Sequence, residues 1–210
     1  LAATLDLLQP LRRSGHEVIV VDGGSVDGTR ELAAGKADRI LTGPKGRAFQ
    51  LNTGAREACG NVLLFIHADT LAPHETIQAL WEEFPASPRV WGRFDVRLSG
   101  DDRMLRVVET MMNVRSRLSG IATGDQGIFV RRETFEKIGG FPEIPLMEDI
   151  AISRRLKRES RPFCPEGRIV TSSRRWEENG IWRTIVLMWR LRLAYALGAD
   201  PADLARSYRS

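Results

Sequence analysis

The chain has little cysteine, and it has no hydrophobic run long enough to cross a membrane comfortably. Its two cysteines, Cys59 and Cys164, are far apart and do not have the spacing of metal ligands. That pattern indicates neither a disulfide framework nor a zinc site, and it is typical of a reducing compartment. No signal peptide and no internal repeat is visible. We therefore expect a single domain, residues 1–210, in the cytoplasm.

Two common nucleotide-binding patterns are also absent. The sequence contains neither the G-x-G-x-x-G pattern of dinucleotide-binding folds nor the glycine- and lysine-containing pattern of P-loops. Their absence argues against a nicotinamide cofactor and against ATP hydrolysis. The chain begins at Leu1 rather than at a methionine, so we expect that an amino-terminal piece precedes it.

What the sequence does contain is a core-forming composition and an uneven charge. Hydrophobic residues make up 42% of the chain, which is enough for a buried core. The net charge is +4, and residues 153–210 carry 13 Lys+Arg against 6 Asp+Glu. This basic part is suited to anionic phosphates, either of a ligand or of lipid headgroups. A solvated helical surface is the alternative interpretation.

Up to residue 87, helix-like and strand-like segments alternate. Short apolar runs predict strands near residues 16–22, 38–42 and 61–69, and the segments between them predict helices. The strands are apolar throughout, which is typical of strands covered on both faces. The order predicts an α/β fold with a mostly parallel sheet flanked by helices. Ligands in such folds lie beyond the carboxyl ends of the strands, where Asp22 and Asp69 stand.

From Pro88 onwards the pattern changes. The segment "RVWGRFDVRLSG" alternates like one strand with an exposed face, and helices are predicted in "DRMLRVVETMMNVRSRLSG" and "PLMEDIAISRRLKRES". A pair of strands is predicted around a turn at Pro165–Gly167. The segment "IWRTIVLMWRLRLAYALG" predicts a last helix, on which Arg183 and Arg190 share one side while the rest is mostly apolar.

The segment "FIHADT" places His67 and Asp69 at the end of an apolar strand. Hard divalent cations prefer oxygen ligands, and a nucleotide diphosphate supplies several of them. One protein carboxylate, Asp69, is therefore enough to hold Mg²⁺ or Mn²⁺ that is already bound to a diphosphate, with His67 assisting directly or through water. The alternative interpretation is a hydrogen-bonded core histidine followed by a helix cap.

Three other places carry residues suited to chemistry. Glu148 and Asp149 stand in a first helical turn, where acids are favoured by the helix dipole but where one could also act as a general base. Asp125 lies between glycines that permit close approach of a sugar. Arg175 can neutralise a diphosphate and Trp176 can stack on a sugar ring; a surface arginine beside a core tryptophan is the alternative.

Taken in order, these segments resemble the motifs of family-two glycosyltransferases with the GT-A fold. "VVDGGSVDGT" resembles the nucleotide-binding strand and turn of the family, and "GRAFQLNTGA" resembles its R-x-x-x-L-N-x-G helix. "FIHADT" stands at the D-x-D metal motif, and its H-A-D-T form resembles a small bacterial subgroup. "GDQGIFVRRETFEKIGGF" and "MEDIAISRRL" are similar to the G-G-F block and the E-D motif, and "SSRRW" stands at Q-x-x-R-W. The likeness spans nearly the whole chain.

The resemblance implies an inverting, metal-assisted transfer of a sugar from a nucleotide-diphosphate donor to a hydroxyl of a sugar, lipid or other acceptor, and no nucleic-acid partner. It implies a nucleotide-binding half (1–87), an acceptor half (88–178) and a terminal helix (179–198). Asp149 would be the general base, supported by Glu148, and Asp69 with His67 would bind Mg²⁺ or Mn²⁺. The other implied contacts are to the nucleotide (Asp22, Ser25, Arg47, Ala68) and to the acceptor or diphosphate (Asp125, Gln126, Arg175, Trp176).

Some positions depart from the family pattern. The first strand of the fold is not in this sequence, Gly23 replaces an aspartate, and His67 and Ser172 replace the usual aspartate and glutamine. Two other readings remain: a nucleotidyltransferase on a related fold, and a non-catalytic scaffold that contacts the inner face of a membrane through residues 180–197. A haloacid-dehalogenase phosphatase is excluded, because His67 stands where that mechanism needs its nucleophilic aspartate.

Overall fold

The computed structural model describes residues 1–209, which form an α/β fold. Its helices are α1 (Ala2–Arg13), α2 (Thr29–Ala33), α3 (Arg47–Glu57), α4 (His74–Glu83), α5 (Arg103–Ser119), α6 (Arg132–Lys137), α7 (Glu148–Glu159), α8 (Arg174–Asn179), α9 (Ile181–Ala196) and α10 (Pro201–Arg209). Its strands are β1 (Ile19–Asp22), β2 (Arg39–Thr42), β3 (Val62–Phe65), β4 (Trp91–Arg93), β5 (Asp95–Leu98), β6 (Ile128–Arg131) and β7 (Arg168–Thr171). A 3₁₀ turn spans Gly124–Gln126.

The strands form three ladders. β1 pairs in parallel with β2, and β5 pairs in parallel with β7. In the third ladder, β6 runs antiparallel to both β3 and β4. The α/β class with parallel strand pairs and flanking helices, which the sequence predicts, is confirmed, and the central ladder adds an antiparallel strand.

The strand β3 is covered on both faces, as its apolar sequence predicts. Leu63 and Phe65 face one hydrophobic cluster, which contains Trp91. Val62 and Leu64 alternate with them and face a second cluster, which contains Phe84. A strand held between two apolar layers has a fixed register, because a slip of one residue would exchange the two faces. The residues that follow β3 are therefore placed at a defined edge of the core.

Two strand predictions of the second half were wrong. The run "RVWGRFDVRLSG" forms two strands, because the N–H of Phe94 leaves the ladder and donates to Gln126 O over 2.8 Å. The predicted strand pair around Pro165–Gly167 has one member, β7. Pro162 and Pro165 have no N–H for a ladder, and Phe163 between them makes a single bridge to Gly92.

The helix boundaries differ from the prediction in smaller ways. The first helix buries Leu5, Leu8 and Leu11 as predicted and continues through Pro10. α9 is not the last helix of the chain, since α10 follows it. That helix starts at a proline, and Asp200 just before it accepts a hydrogen bond from the N–H of Ala202 over 2.8 Å. Across residues 1–209, no helix combines the length and the apolarity that a membrane span requires.

Candidate active site

Charged side chains from four distant segments converge beside the end of β3. Arg47 Nη1 lies 3.6 Å from Glu148 Oε1, and His67 Nδ1 lies 3.4 Å from Asp125 Oδ1. The N–H of Gly124 donates to Asp149 Oδ2 over 3.0 Å. We call the residues Arg47, His67, Asp125, Glu148 and Asp149 the site cluster. A pocket beside them is lined by Leu51, Phe65, His67, Gly124, Ile128, Phe141, Glu148 and Asp149.

β3 and the 3₁₀ turn bring His67 and Asp125 together. Phe65, the last residue of β3, packs against Phe135 and Phe141 with ring centroids 5.2 and 5.0 Å apart, which holds the strand end in place. A side chain at Gly124 would place its Cβ 2.5 Å from His67 Nε2, closer than any real contact. Glycine at this position therefore lets the turn approach the imidazole.

The amino-terminal end of α7 is positioned by α3. Asn52 on α3 donates to Phe141 O and accepts from Phe141 N, each over 2.9 Å, in a buried environment. The chain then runs to Met147, whose φ of 70° is the one positive φ among the described non-glycine residues. A buried methionine in the left-handed region is strained, and such strain concentrates at functional sites. It turns the chain so that Glu148 and Asp149 open the helix.

Glu148 is almost fully buried, with 4% of its surface exposed. Burial raises its pKa, and the adjacent charge of Asp149 raises it further, while the Arg47 guanidinium opposes both. The Asp149 carboxylate accepts from two backbone N–H groups, those of Gly124 (3.0 Å) and Ile150 (2.7 Å). The helix start thus holds one acid that resists ionisation beside another that is fixed in orientation.

His67 and Asp125 form a partly buried pair. Burial alone would lower the pKa of His67, but the contact with Asp125 raises it. The same contact lowers the pKa of Asp125, against the opposing effect of burial. Both shifts favour an imidazolium beside a carboxylate, and an imidazolium has no nitrogen lone pair to offer a metal ion.

Asp22 lies at the carboxyl end of β1, as predicted, and organises the turn that follows. Its carboxylate accepts from the N–H groups of Gly24 (3.3 Å) and Ser25 (3.1 Å). Hydrogen bonds from the Ser25 side chain and backbone lower the pKa of Asp22. A Cβ at Gly23 would meet Gln50 Nε2 at 2.3 Å, so a larger residue there would require the Gln50 side chain to move. The carboxylate of Asp22 accepts its hydrogen bonds from residues of this turn rather than from the site cluster.

Ala68 and Asp69 are exposed beyond His67. The carbonyl of Ala68 accepts from Thr4 Oγ1 over 2.8 Å, which ties this segment to α1. The Asp69 carboxylate has no hydrogen bond or ion pair with the residues the structure describes. Among residues 1–209, no three His, Cys, Asp or Glu side chains are grouped to hold a metal ion. The arrangement fits a cation that takes most of its ligands from a bound diphosphate.

The remaining sequence-predicted residues lie around this centre rather than in it. Arg175 donates to Tyr208 O over 3.0 Å, and its guanidinium lies 3.6 Å from the centre of the Tyr208 ring. Trp176 packs against the apolar cluster that contains Leu105. Gln126 is fully buried and accepts from the N–H of Thr123 over 3.1 Å. Gln126 follows Asp125 directly, but its side chain bonds within the turn, and Trp176 packs in the apolar cluster instead.

Sequence reasoning missed Arg115 and Arg192. Both are half-buried, on α5 and α9, and the charge of Asp149 acts on both. Burial lowers the pKa of Arg115 to about 10, and it also lowers the pKa of Arg192. A signal for Arg192 existed in the sequence: at helical spacing it lies on the opposite side of α9 from Arg183 and Arg190.

Comparison with known proteins gives one family and a set of similar structures. Residues 1–139 match the family model described as glycosyl transferase family 2. A mannosyltransferase, PcManGT from Pyrobaculum calidifontis, in complex with GDP-Man and Mn²⁺, superposes with a TM-score of 0.62 at 22% identity, covering 98% of this chain and 65% of that one.

Two further structures have the same fold. S. aureus TarS 1–349 in complex with UDP-GlcNAc gives a TM-score of 0.61 at 16% identity, covering 80% of this chain and 54% of that one. Glucosyl-3-phosphoglycerate synthase from Mycobacterium tuberculosis, with Mn²⁺, UDP and glucosyl-3-phosphoglycerate, gives 0.56 at 18% identity, covering 81% and 64%. The chain thus spans between about half and two thirds of the length of these three structures.

Proposed function

The chain belongs to glycosyl transferase family 2, and on that premise we propose that it transfers a sugar from a nucleotide-diphosphate donor to a hydroxyl group of an acceptor, with inversion at the anomeric carbon. The observation that carries the proposal is the convergence of the site cluster. Arg47, His67, Asp125 and the Glu148–Asp149 pair come from four segments, each with a family-like motif, and they meet beside one pocket.

The donor is assigned to the nucleotide-binding half, residues 1–87. We assign Asp22 and Ser25 to the base end of the nucleotide, Ala68 to its neighbourhood, and Arg47 to the base or the phosphates. The phosphate role of Arg47 is supported physically, because its side chain is 45% exposed and its guanidinium is only loosely paired with Glu148. Similar structures hold GDP-Man or UDP-GlcNAc, which supports a nucleotide-sugar donor of this type.

A divalent cation is assigned to Asp69. Its free carboxylate suits Mg²⁺ or Mn²⁺ that is already bound by a diphosphate, and Mn²⁺ is present in two of the similar structures. Such a cation would offset the negative charge of the departing nucleoside diphosphate. His67 was assigned to the same cation from the sequence; its pairing with Asp125 favours a role in orienting that carboxylate.

Asp149 is assigned as the general base. A base must hold one fixed position relative to the acceptor hydroxyl, and two backbone N–H groups orient this carboxylate. Glu148, the preceding residue, supports Asp149, and its carboxylate lies 3.6 Å from Arg47 Nη1. In the reaction, the acceptor oxygen attacks the anomeric carbon, the bond to the diphosphate breaks, and Asp149 takes the hydroxyl proton.

The acceptor half, residues 88–178, supplies the remaining assigned residues. Asp125 follows Gly124, which lines the pocket, and is assigned to hydrogen bonds with acceptor hydroxyls. Arg175, whose guanidinium stacks on the Tyr208 ring, is assigned to the diphosphate. Gln126 is assigned to the same acceptor region, where its side chain supports the turn that carries Asp125. Trp176 is assigned to contact with the acceptor.

The proposal is tested with the released product. The chain is incubated with Mn²⁺ and a panel of nucleoside diphosphate sugars, first for stabilisation against heat and then for turnover. Binding of a nucleoside diphosphate that raises the melting temperature only with Mn²⁺, followed by release of a nucleoside diphosphate, is expected. Release of pyrophosphate instead would identify a nucleotidyltransferase, and absence of any stabilisation by any donor would reject the assignment.

A further inference from the structure

Two neighbouring helices carry most of the large apolar side chains that the chain leaves in solvent. α5 exposes four of them and α9, with the residue that follows it, exposes five, each between 46% and 80% exposed. We call this set the two-helix patch: Val107, Met111, Val114, Leu118, Trp182, Val186, Trp189, Leu193 and Leu197. Exposed apolar side chains concentrated on two helices in this way indicate a binding surface rather than ordinary surface variation.

The two helices share an apolar cluster. Ile181 and Ile185 of α9 pack against the cluster that contains Leu105 and Val108 of α5. On each helix the exposed apolar residues follow one another at intervals of four, three and four, which is a single stripe along the helix. Both stripes face solvent, away from the buried residues of their own helix.

The two helices that carry the patch are basic. α5 contains four arginines and α9 three, against one acidic residue, Glu109, which is buried. Arg103, Arg183 and Arg190 are exposed beside the stripes. Exposed acids stand beyond the ends of these helices: Asp101 and Asp102 before α5, Glu177 and Glu178 before α9, and Asp200 and Asp203 after it. A second copy of the chain would bring these arginines against each other, which disfavours self-association through the patch.

We propose that the two-helix patch docks on an anionic membrane surface, with both helices lying in the interface. Tryptophan side chains prefer the headgroup level, aliphatic side chains insert just below it, and arginines pair with anionic headgroups. The sequence assigned such contact to residues 180–197 alone; the proposal adds the exposed apolar residues of α5. This proposal does not depend on the proposed sugar transfer.

Docking in this orientation has a geometric consequence for the site. Arg192 lies on the inner side of α9, towards Asp149, while Trp189 and Leu193 lie on the outer side. One helix with its side chains, about 10 Å across, therefore separates the site cluster from the proposed lipid surface.

The test is flotation of the whole chain with vesicles. With phosphatidylcholine vesicles that contain phosphatidylglycerol, the protein is expected to float, and to float less when phosphatidylglycerol is omitted or salt is raised. The double variant Trp182→Ser/Trp189→Ser is expected to partition at least about tenfold more weakly. Its melting temperature should be unchanged, since these side chains are 67% and 63% exposed.

The matched control changes apolar residues elsewhere on the surface. Val26→Ser/Leu32→Ser removes two exposed side chains outside the patch, 101% and 50% exposed, and should float like the unchanged protein. The proposal is overturned if the unchanged protein does not float with either vesicle, or if both double variants partition alike. It is also overturned if light scattering shows a dimer that the tryptophan variant abolishes in the absence of vesicle binding.

Discussion

Two charged clusters in this protein are built in opposite ways. One surrounds Arg93, whose side chain is fully buried; it forms an ion pair with Asp95, which also accepts from Arg117 Nη2 over 2.9 Å. The other is the site cluster, where the corresponding separations are 3.4 Å at His67–Asp125 and 3.6 Å at Arg47–Glu148. The first alternates positive and negative charges in direct contact, and the second places two acids side by side.

The difference shows which cluster serves the fold. Around Asp95 each charge meets its opposite, and removing one would leave a buried guanidinium unpaired. At the start of α7, burial and a neighbouring acid raise the pKa of Glu148, and the preceding Met147 is strained. Such an arrangement costs stability and is kept in place by packing around it, which is the usual state of a site prepared for a ligand.

The largest expected effect is on catalysis. Replacing Asp149 with asparagine removes the base, and turnover should fall by about 100-fold or more. Donor affinity in a calorimetric titration should stay within about twofold, because the loss of one base leaves the donor contacts in place. The melting temperature controls for a loss of folding. This control is needed because asparagine has one acceptor oxygen, whereas the Asp149 carboxylate accepts from the N–H groups of Gly124 and Ile150 with both of its oxygens. Unchanged turnover would remove Asp149 from the mechanism.

The next effect is on the fold alone. Asp95→Asn leaves Arg93 without its buried counter-charge and should lower the free energy of unfolding by about 3 kcal/mol, measured by urea titration. Asp203→Asn is the matched control, because Asp203 pairs with Arg206 at the surface, and it should cost less than about 1 kcal/mol. If Asp95→Asn and Asp203→Asn lowered the free energy of unfolding equally, the structural role assigned to the Arg93–Asp95 pair would be contradicted.

This fold effect should depend on pH. Burial alone would raise the pKa of Asp95, but hydrogen bonds from Arg117 and Arg93 lower it below its usual value. A lowered folded pKa stabilises the protein above the unfolded pKa, about 4, and that contribution is lost as the pH falls through the folded pKa. The gap in stability between the unchanged protein and Asp95→Asn should therefore narrow below about pH 4.

A smaller loss is expected where the fold supports the site. Asn52→Ala leaves the buried N–H and C=O of Phe141 without partners and should cost about 2 kcal/mol of unfolding free energy. Because this contact positions the approach to α7, turnover should also fall. Thr53→Ala, on the same helix with only a surface hydrogen bond to Arg56, should change stability by less than about 0.5 kcal/mol.

The smallest effect should have the opposite sign. The pKa of Glu148 is raised in the folded protein, so the unchanged protein loses stability as the pH rises above about 4.5. Glu148→Gln removes this acid and should restore that stability. We expect a gain of about 1 kcal/mol at neutral pH together with reduced turnover. Arg47 remains solvated in this variant. The exposed Glu143, in the loop before α7, supplies the control: Glu143→Gln should leave both quantities unchanged.

Local patterns in the sequence predicted much of this protein. Continuous apolar runs predicted strands covered on both faces, and β3 divides its side chains between two apolar clusters. Helical spacing predicted the buried side of α1. The motif resemblance predicted the family, which is confirmed for residues 1–139. Each of these depends on neighbours within a few residues or on short motifs, which a single sequence displays directly.

Other features depend on partners far away in the chain. In the local sequence, Arg192 differs from the other arginines of α9 only in the side of the helix on which it lies. Its interaction with Asp149 depends on the position of α7 in the folded protein. The pairing of His67 with Asp125 and the stacking of Tyr208 on Arg175 likewise join residues more than 30 positions apart. The splitting of β4 from β5 at Phe94 depends on a hydrogen bond to Gln126.

The sequence by itself determined the class of the fold, the family and the kinds of residue available for chemistry, because periodicity and short motifs are local properties. Only the tertiary structure decided which carboxylates are buried, which arginines face them, and that α5 and α9 share an apolar cluster. Burial and charge pairing arise from packing between distant segments, and they set the pKa values and exposures on which function depends.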